Sequence, residues 1–245
     1  MHAVIFTGGD ICSNENLHKI LSRYENKIFY AADSGLEYFN SYELYCKKNN
    51  FNLPVLKCIL GDMDSLKDLS LLQKYKNIPL QKFMRDKDFT DTELAVFYAD
   101  KFLKDNSFYK DKIILCGGGG GCLSHLLTIY DSFSTSIHPD VWIQKEECIY
   151  FIKKNSFVEI LNLKCDDNVS VFRLSSSRKK GKFFTDGFIW ESYVFRKKGL
   201  PSIRNRIKKE YFDERKNVKF CVKKTDCLLS LPFDAQLNSC RNKNN

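Results

Sequence analysis

The acids and glycines of this chain gather just after short apolar runs. Gly8-Gly9-Asp10, Asp33-Ser34-Gly35, Gly61-Asp62-Met63-Asp64-Ser65 and the glycines at 117–121 each follow such a run. Asp62 and Asp64 stand two residues apart, and like charges that close repel unless a cation sits between them. A turn in which Asp62 or Asp64 assists a helix cap explains one acid but not the pair. Mg2+ takes oxygen ligands and is commonly held by one or two carboxylates together with substrate phosphates, which suits the pair.

The densest charged run of the first half is Arg85-Asp86-Lys87-Asp88-Phe89-Thr90-Asp91-Thr92-Glu93. Part of it reads as a solvated loop entering a helix, with Asp91 or Thr92 as cap and Glu93 facing the positive end of the helix dipole. That leaves Asp86, Asp88 and Asp91 beside Arg85 and Lys87. Acids that hold a metal, next to bases that neutralise phosphate oxygens, are the electrostatic half of phosphoryl transfer. The glycines at 117–121 lead through Cys122-Leu123-Ser124-His125 into a helical pattern. Such a run lets backbone N–H groups approach a phosphate or a base at a helix start, although a flexible turn has the same composition. No G-x4-G-K-[ST] pattern is present, so this is not a Walker loop. A lone His125 is more often structural than catalytic.

These residues need a scaffold, and the first half supplies a rhythm for one. Strand-like runs at 3–7, 28–32, 55–60, 78–83 and 112–116 alternate with helical patterns at 14–24, 36–47, 65–75 and 92–104. In the first helix Leu17, Ile20 and Leu21 share one face, and Ser65 is placed to cap the third. Apolar strands without strict alternation point to a parallel sheet covered on both faces. Ligands of such sheets bind beyond the C-terminal strand ends, where the acids and glycines fall. After about residue 137 the pattern changes to short strands near 141–144, 148–153, 157–163, 169–174, 193–196 and 218–222, as expected for an antiparallel sandwich or barrel. The reading is an α/β domain over 1–137 with a mostly parallel sheet, followed by an all-β sandwich domain over 138–245.

Charge divides along the same line. Residues 1–150 hold 17 Lys and Arg against 20 Asp and Glu, whereas the remainder holds 22 against 10. A basic half suits nucleic acid or an anionic small substrate. Its clusters, Arg178-Lys179-Lys180 and Arg196-Lys197-Lys198, read as hairpin loops and match no nucleic-acid motif. The 10 cysteines are scattered, with no C-x2-C pair, and read as reduced thiols. No run approaches the ~20 apolar residues of a membrane span, and no basic segment precedes a longer apolar stretch at the start. A cytoplasmic protein is expected.

In order along the chain, Asp33-Ser34-Gly35, Gly61-Asp62-Met63-Asp64-Ser65, Asp86-Lys87-Asp88-Phe89-Thr90-Asp91 with Glu93, and the glycines ending at His125 resemble the motifs of thiamine pyrophosphokinases, which read ADGG, GDxDS, DKDxTDxExA and GGRxDH. Thr185-Asp186-Gly187-Phe188-Ile189-Trp190 and Ser202-Ile203-Arg204-Asn205 are similar to that family's SxGLxW and SxSN. The departures are Ser34 for Gly, Cys122 and Ser124 for the Arg and Asp of GGRxDH, and Arg204 for Ser.

The resemblance implies an α/β domain, a β-sandwich domain and a homodimer with the site between subunits. It also implies transfer of diphosphate from MgATP to thiamine, giving AMP and thiamine diphosphate. On this reading Asp62, Asp64, Asp86 and Asp88 supply the Mg2+ ligands, Lys87 neutralises phosphate charge, and Asp91 orients or deprotonates the hydroxyl. Asp33, Thr90, Gly120, Gly121 and His125 face the nucleotide; Trp190, Gly187, Ser202 and Asn205 face thiamine, Trp190 offering a ring to its cation. A diphosphokinase for another alcohol, such as a pterin, fits the same acids. A module binding nucleotide or nucleic acid without turnover would show steeply salt-dependent affinity instead.

Overall fold

The computed structural model describes residues 1–84, 88–108, 111–176, 181–191 and 202–239. They form two compact units, Met1–Lys145 and Glu146–Asn245. The first alternates β1 (His2–Phe6), α1 (Asn14–Leu21), β2 (Lys27–Ala32), α2 (Gly35–Lys48), β3 (Leu56–Gly61), α3 (Ser70–Lys74), β4 (Leu80–Lys82), α4 (Asp91–Asp105), β5 (Ile113–Cys116), α5 (Leu123–Ser132) and β6 (Val141–Ile143). Its strands lie in the order β4-β3-β2-β1-β5-β6, each pair parallel.

The expected parallel sheet is therefore present, and burial explains its composition. Ala3, Val4, Ile5 and Phe6 are fully buried, as are Ile114, Leu115 and Cys116. Strands covered on both faces need no polar alternation. Phe6 packs against Phe29 and Phe39 at ring separations of 6.3 and 5.9 Å, which seats α2 on the sheet. Successive strands step outward from β1 to β4 on one side, and β5 and β6 lie on the other. The direction of winding thus reverses between β1 and β5, and a crevice opens at such a reversal beyond the strand ends.

Two expectations change. The helix foreseen over 65–75 shrinks to Ser70–Lys74. Its start is displaced because Glu37 Oε1 accepts the N–H groups of Lys67 and Asp68 at 2.7 and 3.2 Å, and Asp68 Oδ1 accepts that of Ser70 at 3.0 Å. Side chains that bond to backbone in this way compete with the helical ladder, and Ser65 instead donates to Asp64 at 3.0 Å. Residues 141–143, expected among the antiparallel strands, pair in parallel with β5. All three are buried, and so resemble the strands of the first half.

The second unit holds β7 (Cys148–Ile152), β8 (Phe157–Leu161), β9 (Ser170–Arg173), β10 (Lys182–Asp186), α6 (Lys209–Asp213), β11 (Val218–Lys223), β12 (Cys227–Leu231) and β13 (Gln236–Ser239). All its pairings are antiparallel: β7-β12-β9 in one group, β10-β11-β8-β13 in a four-stranded sheet. In β11, Val218, Phe220 and Val222 are buried while Lys219 and Lys223 are exposed, the alternation of a sheet with one dry face. Strands β10, β12 and β13 lie outside the segments expected as strands, although all five residues of β12 are buried. The strand foreseen at 193–196 and both basic loops fall outside the described residues. The nine described cysteines form no disulfide. Among the described residues no helix is long and apolar enough to cross a membrane.

Candidate active site

Four strand-end loops and the start of α4 line one cavity of about 580 Å³. It is bounded by Thr7, Gly8 and Gly9 after β1, Asp33 and Ser34 after β2, and Asp62, Asp64 and Ser65 after β3. Opposite these stand Asp88–Thr92 and the turn carrying Gly118–Gly121, Cys122 and His125.

Three carboxylates meet in this cavity. One oxygen from each of Asp33, Asp62 and Asp91 lies within 4.8 Å of the others, and all three residues are half-buried. Each is placed by a different device. Asp33 takes a left-handed φ of 48° at the end of β2, with its N–H bound to Leu60 O at 2.8 Å. Asp62 follows Gly61, whose φ is 134° and whose missing side chain makes room: a Cβ there would lie 3.2 Å from Asp91 Cγ and 3.3 Å from Asp33 Cβ. Asp91 is the first residue of α4, and Thr90 caps it in a capping box with Glu93. The Thr90 hydroxyl accepts from Glu93 N at 3.2 Å while Glu93 Oε2 accepts from Thr90 N at 2.8 Å. Thr92 meets Thr7 hydroxyl to hydroxyl at 2.6 Å, tying α4 to the loop after β1.

Burial pushes the Asp33 carboxyl up from its ordinary range. The nearby Ser65 hydroxyl and Ser34 N–H pull it down again, and the charges of Asp91 and Asp62 push it further up. Its Oδ1 is buried with no hydrogen-bond partner among the described residues. A buried carboxylate oxygen left so is costly; beside two further acids, it is the donor set that a hard divalent cation satisfies.

Of the residues expected to ligate metal, Asp62 belongs to this trio. Asp64 and Asp88 are exposed on the cavity wall, and Asp86, with Arg85 and Lys87, lies outside the described residues. The resemblance places Asp33 at the nucleotide and Asp91 at the hydroxyl; in the fold both converge with Asp62. Their signal is positional, one acid directly after a strand and one opening a helix, on the edge that already carries Asp62.

The glycine turn is fastened rather than loose. Gly118 N donates to Gly8 O at 2.6 Å, and Asp10 N to Gly119 O at 2.6 Å. The buried Trp142 donates its indole N–H to Gly117 O at 2.7 Å. Sequence reasoning finds neither Trp142 nor the Thr7–Thr92 contact. Gly120, Gly121 and His125 reach the cavity wall. Cys122 is the N-cap residue of α5, its sulfur 2.8 Å from Ser124 Oγ. Hydrogen bonds from the Ser124 side chain and from the Ser124 and His125 N–H groups hold the thiol below its ordinary range. Alongside runs an apolar compartment of about 250 Å³ walled by Val96, Phe97, Leu115 and Ile137, sharing Phe89, Thr90, Thr92, Thr128 and Ile129 with the larger cavity.

The sequence profile of the thiamin pyrophosphokinase catalytic domain matches residues 20–143. The chain belongs to the thiamin pyrophosphokinase family. The match spans the strand-end loops after β2, β3 and β5 and the start of α4, where the acids converge. The fold is that of solved thiamin pyrophosphokinases. The enzyme from Bacillus subtilis superposes with a TM-score of 0.63 at 15% identity, over 95% of this chain and 99% of that one. A thiamin pyrophosphokinase family protein from Enterococcus faecalis gives the same values. The Candida albicans thiamin pyrophosphokinase gives 0.63 at 13% identity, over 94% and 89%. Among curated proteins no sequence match is found.

The residues expected at thiamine lie in the second unit. Trp190 is 56% exposed and Asn205 only 2%. Ser202 is half-buried and contacts Asn205 Nδ2 through its hydroxyl at 3.1 Å. Gly187, with φ 110°, sits where a Cβ would fall 2.5 Å from the Tyr211 ring.

Proposed function

We propose that this thiamin pyrophosphokinase family member transfers diphosphate from MgATP to the hydroxyl of thiamine, yielding thiamine diphosphate and AMP. The observation that carries this reading is the convergence of Asp33, Asp62 and Asp91 in the crevice where the winding of the sheet reverses. In the reaction an O–P bond forms between the thiamine oxygen and the β-phosphorus, the bond from that phosphorus to the AMP oxygen breaks, and the hydroxyl proton passes to a carboxylate of the cavity wall and on to solvent.

Asp33, Asp62 and Asp91 would hold Mg2+, which when bound neutralises charge on the phosphate oxygens. Asp64 and Asp88, exposed on the same wall, are the carboxylates that would face the hydroxyl or a further cation, with Asp86 and Lys87 adjoining Asp88 in sequence. Gly120, Gly121 and His125 face the phosphates or ribose. The apolar compartment suits the base, since Glu93, its one acid, is committed to the capping box. Trp190 offers an exposed ring to the thiazolium or the pyrimidine. The reading includes packing of the two antiparallel sheets of the second unit as a sandwich, a homodimer with the site at the subunit interface, and a cytoplasmic enzyme.

Incubation of the protein with MgATP and thiamine, followed by chromatography, tests the reaction. Equimolar AMP and thiamine diphosphate, absent from Asp62→Asn and without Mg2+, are expected. AMP formed only with a different alcohol would move the acceptor, and binding of MgATP without AMP from any acceptor would sink the proposal.

A further inference from the structure

The turn that carries Trp190 has its backbone pinned and its outer side chains exposed. Lys208 N donates to Gly187 O at 2.8 Å, and Ile189 N to Arg206 O at 2.9 Å. Glu191 closes the turn: its Oε1 accepts Gly187 N at 2.9 Å and pairs with Lys208 at 2.9 Å, while Oε2 accepts the Thr185 hydroxyl at 2.6 Å. At Trp190 a side-chain amide holds the backbone. Asn205 Oδ1 accepts from Trp190 N at 3.2 Å and from Arg206 N at 3.0 Å. Its Nδ2 donates to Trp190 O at 2.8 Å and to Ser202 Oγ at 3.1 Å. A primary amide has two donor hydrogens and two acceptor lone pairs, so these four bonds use its capacity. The backbone of Asn205 is itself paired with Val169 in both directions at 2.8 Å. What the turn leaves outside is the side chains of Ile189, 45% exposed, and Trp190, 56% exposed.

We propose that Asn205 is a positioning residue that acts through Trp190, holding the indole as a rigid platform for an aromatic cationic substrate without touching that substrate itself. This deepens the reading above and rests on Trp190 meeting thiamine. A buried amide with no unused donor or acceptor has nothing to offer a ligand. It can order a segment before binding, so that less entropy is lost when the ligand stacks.

The test combines Asn205→Ala and Ser202→Ala, each with and without Trp190→Phe, so that subtraction isolates the emission of Trp190 from that of Trp142. Release of one ordered side chain corresponds to roughly a three- to tenfold change in affinity. Asn205→Ala is therefore expected to lower the Trp190 anisotropy and to raise KM for thiamine by that factor, with KM for MgATP unchanged. Ser202→Ala, which removes one of the four bonds, moves both in the same direction by less. Should Asn205→Ala not fold, the Trp190 anisotropy of Ser202→Ala and its lack of any further thiamine KM rise in the Trp190→Ala background decide the matter. In a Trp190→Ala background, Asn205→Ala should add nothing to the thiamine KM. A further rise there would mean that Asn205 meets the substrate directly and would overturn the proposal, as would an unchanged Trp190 anisotropy. The anisotropy needs no turnover. A fall in it with no diphosphate transfer would sink the function while leaving the platform intact.

Discussion

Two buried polar side chains, one in each unit, are treated in opposite ways. In the second, the Asn205 amide is 2% exposed and makes four hydrogen bonds. In the first, Asp33 Oδ1 is buried without a hydrogen-bond partner among the described residues, and two more carboxylates crowd it within 4.8 Å. A satisfied buried group stabilises a local shape, whereas an unsatisfied one beside like charges calls for a proton, a water or a cation to complete it. The contrast separates two residues that residue type alone does not: both sit in family-like motifs, yet under the proposed function one would order the chain and the other would hold a cation.

The largest effect expected from this contrast is on Asp33→Asn. Removal of one electrostatic group at a reaction centre costs about 10²- to 10³-fold in turnover, and that loss is expected here. The metal-free variant should melt at or above the wild-type temperature, because a like charge has gone. Mg2+ with nucleotide should stabilise it less than wild type. Retained turnover would break the comparison at its first term.

Next comes Gly61→Ala. A φ of 134° is one that side chains rarely adopt, and the added methyl would meet Met63 Cε at 2.8 Å as well as the two acids. Strain of this kind costs about 1–3 kcal/mol, read as a lowered denaturant midpoint. Turnover should fall more than stability suggests, because the methyl presses on Asp33 and Asp91 together. A stability loss with full specific activity would mean that the spacing of the trio does not matter.

Trp190→Ala sharpens the other half. A cation over an aromatic face contributes about 0.5–2 kcal/mol, so KM for thiamine should rise roughly three- to thirtyfold while KM for MgATP holds. Equal rises in both would place the indole outside the acceptor site.

The sheet is legible in the sequence because its strands are buried on both faces, which leaves uninterrupted runs such as Ala3-Val4-Ile5-Phe6. Residues 141–143 show the limit: three residues carry no pairing direction, and only burial beside β5 sets it. The helix expected over 65–75 is cut short because Glu37 and Asp68, through side-chain contacts to backbone N–H groups, outcompete the early helical turns. In the site, the crowding of acids beyond strand ends is readable, but the grouping of Asp33 with Asp62 and Asp91 is not. That grouping follows from strand order: β2 and β3 are neighbours in the sheet, and α4 lies against β1, β2 and β3. The part played by Asn205 is hidden for the opposite reason, since its place in a motif says nothing of how many bonds its amide already makes.

The smallest expected effect tests whether a half-buried acid outside the trio behaves like the trio or like the amide. Asp140, just before β6, accepts Ile113 N at 2.9 Å. Burial pushes its carboxyl up from the ordinary range, against the lowering effects of that N–H and of the Lys112, His138 and His2 charges. A carboxyl whose folded pKa is raised costs the fold nothing below its unfolded value of about 3.9, where both states are protonated. As pH rises through the folded pKa, the unfolded state has already released its proton and stability is lost. Asp140→Asn keeps an oxygen for Ile113 N but cannot ionise. Denaturant midpoints of variant and wild type should therefore run closest at the acid end, with the variant gaining ground from about pH 4 upward. A constant offset at all pH values would show that Asp140 is satisfied, as Asn205 is, and that only the crowded trio needs an outside partner.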